Sequence, residues 1–388
     1  MRKQLGAVLL TGSLLLCGCS NAAVLPDTDA SKAVAEQQTE NISLLDTKPD
    51  TVPVYLNGTE YKAIQTKQDV WLNCADLEQA YSTQYSVEDE RLLLNDTQGN
   101  QAELTVRQLH SGDTLADCQT AAALLDQNDS AVEAWISLNT LTEQLCYRAL
   151  QDEANQTVYV SPKADTEKIP TGKQVPVLMY HAVSDQTWGL EGLFMSPDSM
   201  REQLQYLTEN GYDPIFFSDL THLEDYDKPV ILTFDDGYAD NYSELFPLLQ
   251  EFQVKATIFV ITDVTDVNSK FMTSEQIREL SDSGLVDIES HTAAHNELAS
   301  LSQQEQDEQM KASQLAIARM TGRIPYVLSY PSGKYNEDTL QLDDKYYDFA
   351  VRSRGNLWTT SDNFFEIERY PVYRNISLSQ FEAFVQTN

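Results

Sequence analysis

Ile231-Leu232-Thr233-Phe234-Asp235-Asp236-Gly237 closes an apolar run that begins at Pro229. The run reads as a buried strand. It ends in two adjacent carboxylates and a glycine. Side chains alternate along a strand, so neighbouring aspartates normally point opposite ways. Where a strand opens into a loop that rule relaxes, and Gly237 supplies the backbone freedom. Two carboxylates at such an end can divide the work, one holding a metal ion and the other acting as a base.

A second stretch supplies the rest of a metal site. Ser290-His291-Thr292-Ala293-Ala294-His295 follows the apolar segment from Gly284 to Ile288. Two imidazoles and one carboxylate form a three-ligand set that leaves a position open for water. The chain has five histidines, and two of them stand four residues apart here. Alone, an HxxxH pair is non-specific. Beside a strand-terminal Thr-Phe-Asp-Asp-Gly it is a strong signal.

From Val175 onward apolar strand-like runs alternate with helical patterns. Polar residues recur at the C-terminal ends of the runs: His181, Asp235, Asp236, His291, Ser332 and Arg352. In a β/α barrel that face carries the active site. Periodicity alone also permits an open doubly wound sheet.

Thr233 to Gly237 and His291 to His295 resemble the first two motifs of the polysaccharide deacetylase family, carbohydrate esterase family four with its NodB-homology domain. The resemblance covers residues 175–388. It implies an α/β fold, a distorted β/α barrel of the NodB type. It further implies Asp235 as base, Asp236, His291 and His295 as ligands of Zn2+, and an N-acetylated glycan as substrate. Co2+ or Ni2+ would tolerate the same ligands.

Two family motifs are altered. The third usually runs Arg-x-Pro-Tyr, whereas this chain reads Ser329-Tyr330-Pro331-Ser332-Gly333. The resemblance places an oxyanion donor at the Ser332 N–H, with Tyr330 beside the substrate. Arg352 or Arg354 is expected to replace the missing arginine charge. The fifth motif usually supplies a Leu-x-His general acid, but Glu368-Arg369-Tyr370-Pro371-Val372 holds no histidine. His181, in Leu178-Met179-Tyr180-His181, is the expected substitute; the alternative is a structural histidine near the barrel rim. This variant resembles the branch that includes deacetylases of poly-N-acetylglucosamine. Aromatic residues near the strand-end loops, Trp188, Phe194 and Tyr238 among them, could stack on sugar rings, although each alone is more often packing.

The 388 residues suggest two domains plus tails. A formal net charge of −34 argues against nucleic acid or an anionic membrane surface as an electrostatic partner. The chain opens with Arg2 and Lys3, a short apolar run from Leu5 to Leu16, and then Leu16-Cys17-Gly18-Cys19-Ser20. That resembles the bacterial lipobox. It implies a signal peptide over 1–18, a lipid anchor on Cys19 and an extracytoplasmic location at the bacterial membrane. Residues 19–51 read as a flexible tether. Residues 52–162 read as a small α+β domain with a weak resemblance to the N-terminal domain of copper amine oxidases. Copper does not follow, since His110 has no companion ligands. Residues 163–174 read as a linker. Cys74, Cys118 and Cys146 allow at most one disulfide.

Three readings follow from these residues. The leading one is a lipid-anchored metal-dependent deacetylase of an N-acetylglucosamine-containing polymer such as peptidoglycan or poly-N-acetylglucosamine. The altered motifs also suit a catalytically weak glycan-binding or wall-binding lipoprotein. The third is a metal amidase on a small non-glycan amide.

Overall fold

The computed structural model describes residues 50–66, 69–88, 91–108, 123–128 and 131–387. The expected signal, Cys19, the tether as far as residue 49, His110 and Cys118 lie outside them.

The site-bearing sheet is built from parallel strands. We label them β1 (Val177–Tyr180), β2 (Pro229–Phe234), β3 (Ala256–Val260), β4 (Val286–Ser290), β5 (Val327–Ser329), β6 (Phe349–Val351) and β7 (Tyr370–Pro371). Their spatial order is β6-β5-β4-β3-β2-β1-β7, and Asp213–Pro214 pairs alongside β2. β1, β2 and β3 are buried along almost their whole length. Near-continuous apolar runs of this kind mark parallel strands covered on both faces. The sheet curls rather than staying open. Val351 of β6 bridges Ile367, and three residues further on Tyr370 pairs with Leu178 of β1. The segment from Ile367 to Pro371 therefore spans the two edges.

Helices α1 (Pro197–Glu209), α2 (Phe246–Phe252), α3 (Ser274–Asp282), α4 (Gln303–Thr321), α5 (Glu337–Tyr346) and α6 (Leu378–Val385) accompany the strands. Their starts are written in the sequence. Ser196 caps α1 with Pro197 in the first turn, and Ser302 forms a capping box with Glu305 at α4. A π turn over Asn241–Leu245 leads into α2. Such turns often accompany functional sites. Here Asn241 sends its side-chain amide to the His181 carbonyl, 2.9 Å away.

The first part of the chain forms a separate ten-stranded sheet, from Thr51–Leu56 to Thr157–Pro162, with short helices Cys74–Tyr81 and Leu138–Gln144. Asn73 and Ser137 cap those helices. By sequence Leu141 to Leu150 reads as one helix, whereas the helix ends at Gln144. Tyr147–Asp152 pairs antiparallel with Thr157–Pro162, and pairing overrides local helix propensity. This sheet packs on α4 and the segment that follows it through Tyr159, Ala318 and Ile324. Arg319 binds both oxygens of the buried Asp152 at 2.7 and 2.8 Å, and Arg148 pairs with Asp348. Residues 163–174 are held down rather than free. Ala164 N donates to Asp348, Ile169 is buried, and Gln174 pairs with Thr359.

Candidate metal centre

The adjacent aspartates reach one site because the backbone turns over between them. Asp236 has φ +76° and Gly237 φ +74°. The left-handed turn cancels the alternation that a continuing strand would impose. Gly237 has no substitute here, since a Cβ would lie 2.9 Å from Val260 Cγ1. Thr292 at +65°, His295 at +57° and Ser332 at +55° are also left-handed. For β-branched Thr292 this is strained backbone, and such strain gathers at functional sites.

Asp236, His291 and His295 converge as the sequence suggests. One Asp236 oxygen lies 3.4 Å from His291 Nε2 and 3.7 Å from His295 Nε2. The donor atoms of the three all fall within 4.8 Å of one another. A tetrahedral ion with bonds of about 2.0–2.1 Å has edges of about 3.3–3.4 Å, so the spacing fits one ion of zinc's size. The tautomer fits too. His291 Nδ1 donates to the Ser329 carbonyl at 2.7 Å, so Nε2 faces the site, where it donates to Asp236 when protonated and offers a lone pair to an ion when not. Burial pushes the Asp236 carboxyl up, but the His291 hydrogen bond and the nearby imidazoles outweigh it. The carboxyl is held well below its ordinary value.

Asp235 is fully engaged by a residue the motif reading missed. Arg369 Nη1 donates to one Asp235 oxygen at 2.8 Å and Nη2 to the other at 2.7 Å. Arg369 is wholly buried. It also donates to Thr233 Oγ1, to Ser329 Oγ and, through Nε, to the Arg352 carbonyl. Burial pushes Asp235 up, yet the Arg369 charge and hydrogen bonds, with His291 and His181, hold its carboxyl below the usual value. The expected arginine was Arg352 or Arg354. Arg352 instead faces Glu368 at 3.5 Å. The clamp comes from Arg369 because the closing segment carries it into the curled sheet beside β2. The signal was a lone arginine in Glu-Arg-Tyr-Pro, in a chain whose third motif lacks one.

His181 follows β1 and is half-buried beside this group. Burial lowers its pKa against the opposing pull of Asp235 and Asp236. Asp240 accepts from the Val183 N–H at 2.8 Å, and Asn241 holds the His181 carbonyl, so the segment is fixed from both sides. Ser332 is exposed in the Pro331–Gly333 turn.

Tyr330 does not contact substrate. It is 1% exposed, and its hydroxyl meets the Asp343 carboxyl and the Phe365 carbonyl. Ser329 points to Asp235, so the next residue along the strand points away. The phenol donates its one proton toward both acceptors. Burial outweighs the help this gives the ionised carboxylate and pushes Asp343 up to about 7. The folded state therefore binds this proton more tightly than the unfolded chain. Stability falls as pH rises from about 4 to about 7, and the cost is complete above that. Asp343→Asn keeps an acceptor without the charge. Its stability relative to wild type should rise between pH 5 and pH 7 by up to a few kcal/mol and level off above that, read as a growing gap in melting temperature. A pH-independent difference in thermal scans would refute the protonated carboxyl.

Comparison with known proteins places this geometry in a family. Residues 222–347 match the family model described as polysaccharide deacetylase. YxkH of Bacillus subtilis (strain 168), named as a polysaccharide deacetylase, is 30% identical over 284 residues, covering 70% of this chain and 96% of that protein. The poly-beta-1,6-N-acetyl-D-glucosamine N-deacetylase of Escherichia coli (strain K12) is 29% identical over 162 residues, covering 36% of this chain and 24% of that protein. Among solved structures, the Streptococcus pyogenes deacetylase PplD in complex with acetate superposes with TM-score 0.52 at 25% identity. It covers 55% of this chain and 99% of that one. A Bacillus cereus polysaccharide deacetylase, BC0361, shares the fold with TM-score 0.53 at 20% identity, covering 78% of this chain and 99% of that one.

Proposed function

Because the chain belongs to the polysaccharide deacetylase family, we propose that it hydrolyses N-acetyl groups of an N-acetylglucosamine-containing polysaccharide and releases acetate. The observation that carries this is the Asp236–His291–His295 triangle beside the Arg369-clamped Asp235. Asp236, His291 and His295 would hold Zn2+, or Co2+ or Ni2+. A divalent ion there supplies a water of lowered pKa and polarises the acetyl carbonyl.

The chain's own groups do the proton work. Asp235 stays ionised under the Arg369 clamp and takes a proton from the attacking water. The Ser332 N–H is the proposed donor to the oxygen that gains charge. The departing nitrogen leaves as an amine only if it is protonated, and His181 is the proposed donor. His181→Ala should lower kcat by roughly 10²–10⁴-fold and erase the alkaline limb of the pH profile. A near wild-type kcat with the limb intact would eliminate His181 as the acid.

Poly-N-acetylglucosamine or peptidoglycan is the proposed polymer; the E. coli relative's name supports the former. The test is acetate release from peptidoglycan, β-1,6- and β-1,4-linked N-acetylglucosamine oligomers and small acetamides, after chelation and again after metal is restored. Release from glycans that returns with metal supports the reading. Release only from small amides favours the amidase. The weak-binder reading drew on the two altered motifs, and Arg369 fills one of those gaps.

The proposal extends to location: a lipid-anchored protein outside the cytoplasm, attached through Cys19. Mass spectrometry of the mature N-terminus decides it. A diacylglyceryl-modified Cys19 is expected, and an unmodified N-terminus would overturn the anchor.

A further inference from the structure

We propose that Trp188 is the floor of a sugar subsite beside the reacting unit, and that Lys270 makes this subsite select an uncharged, still-acetylated sugar. The proposal rests on the deacetylase reading above.

Trp188 lies in the loop between Ala182–Val183 and Phe194–Met195. It keeps 40% of its surface exposed, although three rings hold it in place. Tyr238 stands 4.9 Å away at 89°, Phe194 5.3 Å at 81° and Phe271 6.4 Å at 66°. The loop itself is pinned by Arg374, which donates to the Ser184 and Phe194 carbonyls and, through its N–H, to that of Gly192. A fixed aromatic left open to water loses little freedom when something binds it. With the Lys270 ammonium over one face, the part of the ring still open to water suits the C–H face of a pyranose.

The platform is continuous with the metal centre. Tyr238 follows Gly237 directly, two residues after Asp236, and its ring packs on Trp188. Tyr238 thus links Trp188 to the turn that carries a proposed metal ligand. A sugar on Trp188 would be a neighbour of the unit whose acetyl group reacts.

Lys270 fixes the charge preference. Its ammonium lies 4.3 Å from the centre of the Trp188 ring. Deacetylation converts a neutral sugar into an ammonium-bearing one. Elsewhere this chain, at −34, attracts such a cation. Beside Lys270 a second ammonium meets like charge at close range, enough for about a tenfold preference against it. Units whose neighbour retains its acetyl group then react first, and acetate loss is spaced along the polymer rather than clustered.

The test compares the metal-loaded enzyme with Trp188→Ala, Trp188→Phe and Lys270→Glu. Substrates are single N-acetylglucosamine units, fully acetylated pentasaccharides of both linkages, and pentasaccharides carrying one glucosamine at each defined position. Trp188→Ala should lower the ratio of kcat/KM for pentasaccharide over single unit about tenfold, with Trp188→Phe recovering most of it. Lys270→Glu should abolish or invert the preference for an acetylated neighbour. An active enzyme whose ratios survive either change overturns this inference and leaves the deacetylase reading standing. Calorimetric binding of the same pentasaccharides to His181→Ala holoprotein, with and without the Trp188 and Lys270 changes, covers the other case. Binding that depends on both residues supports the subsite even where acetate release is slow. A wild type that neither releases acetate from the oligomers nor binds them overturns both proposals.

Discussion

Asp235→Asn protein is expected to bind metal at wild-type stoichiometry and to release no measurable acetate, a loss of about 10⁴-fold or more in kcat. A single general base contributes roughly 10²–10⁴-fold. The larger figure follows because this carboxylate also fixes the charge balance around Arg369. In the folded protein the two form a buried bidentate pair, with side-chain exposures of 4% for Asp235 and 0% for Arg369. The amide cannot take the water's proton, and it turns a donor group toward a guanidinium that also only donates. Breaking a buried pair from one side costs about 3–5 kcal/mol, so the variant should melt earlier as well as lose turnover. Asp235→Asn combined with Arg369→Met separates the two effects. Removing both charges should recover much of the stability and none of the activity, since a buried pair replaced by apolar volume is often neutral. Metal content by mass spectrometry, thermal scans and acetate release read the three quantities independently. A singly substituted protein with full metal and kcat within tenfold of wild type would remove Asp235 from the base role.

What the sequence made legible was local. Asp235, Asp236, His291 and His295 sit in two short stretches, and spacing within a stretch survives folding unchanged. The strands leading into them are apolar runs whose ends are marked by Gly237 and by the change to polar residues. Arg369 was illegible for the opposite reason. It reaches Asp235 across 134 positions, through the closing of a sheet whose curl is a property of all seven strands together. Tyr330 shows a subtler failure. Standing next to a motif does not say which way a side chain points. Ser329 faces Asp235, and the alternation of the strand sends Tyr330 to Asp343 instead. Leu141 to Leu150 failed because strand pairing with Thr157–Pro162 is a long-range gain that no helix periodicity registers.

His291→Ala should lose stoichiometric zinc outright, and His295→Ala should lose it in large part. The two ligands are unequal in a way the structure explains. His291 is buried with its ring locked by the Ser329 carbonyl, so its Nε2 waits in place and binding costs little reorganisation. His295 has a side chain 34% exposed, and its hold comes from the backbone, where its N–H donates to Thr292 Oγ1 at 3.1 Å. A ligand shell missing its preorganised member should fall further than one missing its more exposed member. Outer-shell partners alone typically contribute 10–100-fold to affinity, and a direct ligand exceeds that. Zinc titration followed by mass spectrometry measures occupancy. Thermal scans provide a second readout, because an ion that binds only the native state stabilises by RT ln(1 + [L]/Kd). Zinc should therefore raise the wild-type melting temperature, raise that of His295→Ala less, and leave His291→Ala unmoved. Removing His291 also takes away the hydrogen bond and charge that keep the Asp236 carboxyl low, so that remaining ligand competes less well against protons. Raising the pH should then restore some zinc to His291→Ala, which a simple loss of fold would not allow. Full zinc occupancy in both histidine variants at neutral pH would show that the ion, if bound, is held elsewhere.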